Sequence, residues 1–146
     1  MKTPQRIKPI VKAGLGAAVI ALAAACAMMS GAKTATVTLS GAEQVPPVAT
    51  SATGSGSFTV NEDKTVNGSI TVSGLAPFAA HIHVGARGKN GPVAVGLSKT
   101  GGDVWSTPSG AKFNDDQYKA FLAGETYVNV HTPAHKGGEI RAQLQP

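Results

Sequence analysis

The 146-residue chain has only one cysteine, Cys26, so no disulfide can form within it and the folded part must rely on its apolar core. Aromatic residues make up only 5%, against 18 glycines and nine prolines. That balance argues against a helical bundle and for many short elements joined by turns. Charged residues are also few, at 14%, but 42% hydrophobic content keeps the chain in the globular class rather than the disordered one. At this length it has room for one domain.

Long apolar runs are equally scarce. The one near the start, AGLGAAVIALAAAC, is shorter than the ~20 residues that a spanning helix needs. It follows MKTPQRIKPIVK, which carries Lys2, Arg6, Lys8 and Lys12 and no acid. A basic segment followed by a short apolar one is an export signal. Ala23, Ala24 and Ala25 directly precede Cys26, an arrangement that resembles a bacterial lipobox, although Leu22 stands four residues before the cysteine rather than three. The expected organisation is a lipoprotein-type signal peptide over 1–25, an anchor and linker over 26–33, and a domain over 34–146. A lipidated Cys26 would tether the domain to a membrane at about 0.8 kcal/mol per buried methylene, placing it in the cell envelope, periplasmic or on the outer surface. Cleavage near Ala25 or after Ala32 would instead release a secreted protein. Met28 and Met29 read as hydrophobes of this region.

Removing the signal changes the charge. Four of the 13 Lys and Arg lie in the first 12 residues, leaving nine against eight acids. The whole-chain pI of 9.6 therefore does not describe the domain, and nucleic acid, which needs a concentrated basic face, is not an expected partner.

From Lys33 onward the apolar residues alternate. KTATVTLSG, SFTVN, TVNGSITVSGL, AAHIHV, PVAVGL, ETYVNVHT and GEIRAQL each read as a strand with one buried face. Among these, Ile82 and Val84, Val93, Val95 and Leu97, and Val128 and Val130 are expected to point inward. NEDKTVNG reads as a hairpin. One segment breaks the pattern: Asn114 is a candidate N-cap, Asp115 and Asp116 fill the first turn, Tyr118, Phe121 and Leu122 have helical spacing, and Gly124 is a stop. Seven or eight strands with one short helix near 114–123 predict an all-β, two-sheet sandwich or a small barrel, with the sandwich preferred. Trp105 in DVWSTP is expected to pack at a sheet edge.

The four histidines fall in two of these strands and one loop. With Ile82 and Val84 inward, His81 and His83 share the outer face, about 7 Å apart along the strand. Likewise Val128 and Val130 inward put Tyr127, Asn129 and His131 outward, with His135 four residues later. Imidazoles converging in this way are candidate ligands for copper or zinc. The same residues could instead be half-exposed surface or donors that tie down loops.

Three motifs then point to a family. LSGAEQVPPVATSATGSGSFTV, VSGLAPFAAHIHVGARGKNGPVAVGL and YVNVHTPAHKGGEIRAQL resemble the CHRD domain over about residues 34–146. That resemblance implies an exported domain but no activity. A more distant similarity is to copper–zinc superoxide dismutase, and it implies a Greek-key, immunoglobulin-like all-β sandwich with copper ligands at His81, His83 and His131 and with Arg141 in the place of an active-site arginine. No further histidine lies between His83 and Pro92 to bridge two metals, and no His/Asp cluster offers a zinc site. The resemblance therefore implies a single copper held by His81, His83 and His131 with His135 as a candidate fourth ligand, supported by Arg141, Asn129 and Glu139, and no superoxide dismutase or other enzyme activity. No serine lies in a nucleophile elbow, and GARGKNG lacks the Gly-Lys-Ser/Thr ending of a phosphate loop. The competing expectation is an envelope interaction or scaffold module with structural histidines, no metal and an unidentified protein partner.

Overall fold

A computed structural model describes residues 31–146. The signal segment, Cys26, Met28 and Met29 lie outside the described residues. Eight strands form: β1 (Lys33–Ser40), β2 (Thr53–Val60), β3 (Val66–Ser73), β4 (Ala79–Val84), β5 (Val93–Gly101), β6 (Val104–Ser106), β7 (Thr126–His131) and β8 (Ile140–Leu144). One helix, α1 (Asp115–Leu122), lies between β6 and β7, and a single 3-10 turn, Gly41–Glu43, follows β1.

All strand pairs are antiparallel, and the order β1-β2-β3-β6-β5-β4-β7-β8 closes on itself. This corrects the preferred sandwich to a barrel. The hydrogen bonding is continuous: Ile70 pairs with Trp105 across β3 and β6, and Ser40 pairs with Arg141 where β1 meets β8. Alternation could not make that distinction, because both architectures bury every second residue. The order β7-β4-β5-β6 is a Greek key, three hairpin-connected strands with a fourth returned beside the first.

The barrel is filled by the inward residues, among them Leu39, Phe58, Ile70, Ile82, Val128, Val130 and Ile140, each at 0% exposure. Burying a side chain of this kind contributes roughly 1.5–3 kcal/mol. Trp105 belongs to this core and not to a sheet edge, since β6 is paired on both sides. It sits in β6, a three-residue strand too short to show a period.

Two apolar residues depart from expectation. Val93 is 51% exposed because a bulge falls between the Ile82–Val95 and His83–Val93 pairs. The extra residue, Ala94, turns Val93 to the outer face beside its partner His83. Leu122 is also exposed, whereas Phe121 carries the buried face of α1.

Asn114 caps α1 as the sequence predicts. Its side chain accepts from the Gln117 backbone N–H, and the Gln117 side chain accepts from the Asn114 N–H. Asn114→Ala is expected to destabilise the protein by about 1 kcal/mol in urea unfolding, the usual contribution of such a cap.

Candidate metal centre

The pairing of β4 with β7 builds the site. His81 faces Asn129, His83 faces Tyr127, and Ala79 faces His131. β8 extends these rows, with Arg141 opposite Asn129 and Gln143 opposite Tyr127. Cross-strand partners share a face, so one outward patch collects three histidines, a tyrosine, two amides and an arginine.

That patch points away from the core and is mostly enclosed, with His81 its half-buried member. Tyr127, Asn129 and Arg141 are 2% exposed or less, and every residue of β7 and β8 is buried. Three loops cover it: 41–52, 85–92 and 132–139. The Gln44 amide donates to Asn129 Oδ1 at 2.7 Å, Asn90 donates to the Val45 carbonyl at 2.8 Å, and Arg87 pairs with Glu43. The loops are thus tied to each other as well as to the barrel.

Within the patch, one ring nitrogen from each of His81, His83 and His131 lies within 4.8 Å of the other two. His81 Nδ1 and His131 Nε2 are 3.1 Å apart. A metal about 2.0 Å from each of three imidazoles needs nitrogens roughly 3.3–3.5 Å apart, so one edge of the triangle is already closed and the others need small ring movements.

Backbone carbonyls set the tautomers. His83 Nδ1 is 3.0 Å from the Gly91 carbonyl, and His131 Nδ1 is 2.9 Å from that of Lys136. A carbonyl only accepts, so each Nδ1 carries the proton and each Nε2 presents a lone pair. His131 Nε2 takes its bond from His81 Nδ1–H. His83 Nε2 has no partner at all, although it is buried. A buried acceptor without a partner costs about 1–3 kcal/mol; Trp105 Nε1 and Thr126 Oγ1 are likewise unpartnered, but only His83 Nε2 belongs to the three-histidine group.

Burial pushes the His81 imidazole below its ordinary value of 6.5, and repulsion from His131 adds to that. Burial also lowers His83; the Gly91 carbonyl opposes it, while His131, His81 and Arg141 reinforce it. Both rings are therefore neutral in the fold at pH values where an exposed histidine is gaining a proton. Their folded values lie below the unfolded one, so the stability they contribute is present above pH 6.5 and is lost as pH falls toward the folded values. The urea midpoint of the metal-free protein should drop between about pH 7 and about pH 5, and drop less in a His81→Asn/His83→Asn variant. Equal drops would contradict this.

The family model for the CHRD domain matches residues 35–144. The chain belongs to the CHRD domain family. No curated protein and no solved structure matches it.

In this CHRD domain the other candidate residues stand outside the three-histidine group. His135 is not part of the three-histidine group. Its backbone closes the turn Thr132–His135, with a 3.0 Å bond from the His135 N–H to the Thr132 carbonyl. Glu139 does not touch the histidines either. Its two oxygens accept from the Thr50 and Thr132 hydroxyls at 2.8 and 2.7 Å, and the Thr132 bond keeps its carboxyl below the usual range. Asn129 acts through the loop: it donates to the Gly137 carbonyl at 3.1 Å, beside the Lys136 carbonyl that fixes His131. Gly138 makes this approach feasible, since a Cβ there would sit 2.1 Å from Asn129 Oδ1.

Arg141 departs furthest from the dismutase similarity. Its guanidinium lies 3.5 Å over the Tyr127 ring, and Tyr127 stacks on His83 with centroids 4.9 Å apart and planes within 5°. It is 1% exposed, so it cannot line an open anion channel. Sequence reasoning missed Tyr127, Gly91, Gln44 and Gln143. Tyr127 alone had a signal, its placement two residues from Asn129 and four from His131 on the same strand face.

Proposed function

We propose that this CHRD domain is a non-catalytic, extracytoplasmic metal-binding domain that takes one copper ion between His81, His83 and His131. The observation that carries this reading is the buried Nε2 of His83, which has no hydrogen-bond partner and belongs to the one group of ligating side chains found among the described residues. Three neutral imidazoles are donors that copper accepts. When bound, copper would supply a Lewis-acidic, redox-capable centre. The chain's own part is to fix the Nε2 lone pairs of His83 and His131 with carbonyls behind the rings, and His81 joins them once its Nδ1 proton moves to Nε2. Enzyme activity is not part of the proposal: Arg141 is enclosed and Arg87 is paired with Glu43, so neither is free to draw in an anion.

The basic and apolar segments before Cys26 support an extracytoplasmic, lipid-anchored setting for the domain, and CHRD membership is consistent with an extracellular one. No helix among the described residues is long and apolar enough to cross a membrane.

A second reading has its own support. The bonds from His83 to Gly91 and from His131 to Lys136 also tie down two loops, as histidines in a scaffold module would. Titration of the purified protein separates the two. In the metal reading, copper binds at one equivalent and stabilises the fold by about 4 kcal/mol when free copper exceeds Kd a thousandfold. In the scaffold reading, copper leaves the unfolding midpoint where it was.

A further inference from the structure

Arg141 is a buried cation without an anion. Its guanidinium bonds Asn90 Oδ1 at 3.2 Å, the Ala86 carbonyl at 3.3 Å and Gln143 Oε1 at 3.3 Å, all neutral acceptors. No ion pair among the described residues includes it, and Glu43, whose charge reaches it, is paired with Arg87. A buried guanidinium costs several kcal/mol in lost hydration, which an ion pair normally offsets. Here the ring of Tyr127 takes part of that role through a cation–π contact. Tyr127 is also stacked on His83, so the charge reaches one ligand of the proposed site across a single ring.

The site itself has no compensating negative charge. Its three donors are neutral imidazoles, and the one nearby acid on the 132–139 loop, Glu139, is turned to Thr50 and Thr132. A divalent ion placed there would meet a fixed positive charge with no carboxylate or thiolate to balance it. A guanidinium on the order of 10 Å from the ion, at an effective dielectric of about 20, disfavours each additional unit of charge by a factor of about ten to twenty.

We propose that Arg141, acting through Tyr127 and His83, makes this site selective for monovalent copper over divalent copper and zinc. The inference rests on the metal reading of the three histidines and adds the charge of the ion to it. Arg141 is a positioning and charge-setting residue in this proposal and does not touch the metal.

The test measures Kd for Cu(I), Cu(II) and Zn(II) by competition with calibrated chelators, on the purified protein and on Arg141→Gln and Arg141→Lys. The wild type should bind Cu(I) at least about tenfold tighter than either divalent ion. Arg141→Gln should reduce that preference about tenfold, while Arg141→Lys, which keeps the charge but loses the planar stack, should hold it to within about threefold. Equal loss in both variants, or a fall in all affinities by one factor in Arg141→Gln, would show that Arg141 acts through packing and overturn the proposal. Should Arg141→Gln fail to fold, the wild-type ratio decides: a preference for Cu(I) below about tenfold overturns it. A wild type that binds none of the three ions overturns the metal reading itself, which is a different failure.

Discussion

His83→Ala weakens copper binding by more than about 100-fold, because it removes the one ligand whose Nε2 has no other use in the fold. His81 and His131 would keep each other as partners, at 3.1 Å, and two imidazoles hold copper much less firmly than three. The effect on the metal-free fold is smaller and of mixed sign. Removing the ring leaves the Gly91 carbonyl without its donor and uncovers one face of Tyr127, but it also removes a buried lone pair that had nothing to bond. Titration with copper, run beside urea unfolding with and without the metal, separates the two effects. His135→Ala is the matched control and should leave the affinity within about twofold, since that side chain stands outside the group of three. Equal losses in the two variants would mean that the ligands have been wrongly chosen.

Gly91→Ala produces the second large effect, and it acts through the backbone. A Cβ at Gly91 would lie 1.7 Å from the Val84 carbonyl oxygen and 2.9 Å from its carbon. Both are main-chain atoms at the end of β4 and cannot swing aside. The loop must therefore move, and Gly91 is where it meets the site: its carbonyl fixes His83, and its N–H donates to Tyr127 Oη at 3.0 Å. Losing both bonds and straining the turn should cost about 2–4 kcal/mol in urea unfolding. The copper affinity should fall about 10- to 100-fold because the His83 ring loses its fixed tautomer. Gly88→Ala, in the same loop with φ of +76° and nothing within 4 Å of a new Cβ, should cost only the roughly 1–2 kcal/mol of a left-handed conformation and leave the affinity unchanged. If Gly91→Ala were as mild as Gly88→Ala, the loop would not be holding the ligand.

Much of this site is legible in the sequence because strand alternation is. Ile82 inward means His81 and His83 outward, and Val128 and Val130 inward mean Tyr127, Asn129 and His131 outward. What alternation does not carry is which strands are neighbours. β4 lies beside β7 across a Greek-key crossover, and only the resemblance to known domains paired those segments beforehand. The burial of the outward face was also hidden, since loops 41–52, 85–92 and 132–139 have no period from which their path could be read. That is why Arg141, given the place of an active-site arginine by the dismutase similarity, is instead enclosed. Val93 was misplaced for a related reason: one extra residue at the bulge reverses the face of everything beyond it. His135 is close to His131 in sequence, but the turn Thr132–His135 keeps it out of the cluster.

The proposal that His81, His83 and His131 form one metal centre is tested most directly by X-ray absorption at the copper edge on the one-to-one complex. The predicted spectrum has three imidazole nitrogens at about 2.0 Å and no sulfur. A shell containing sulfur, or one that fits a single imidazole with the rest water, would contradict it.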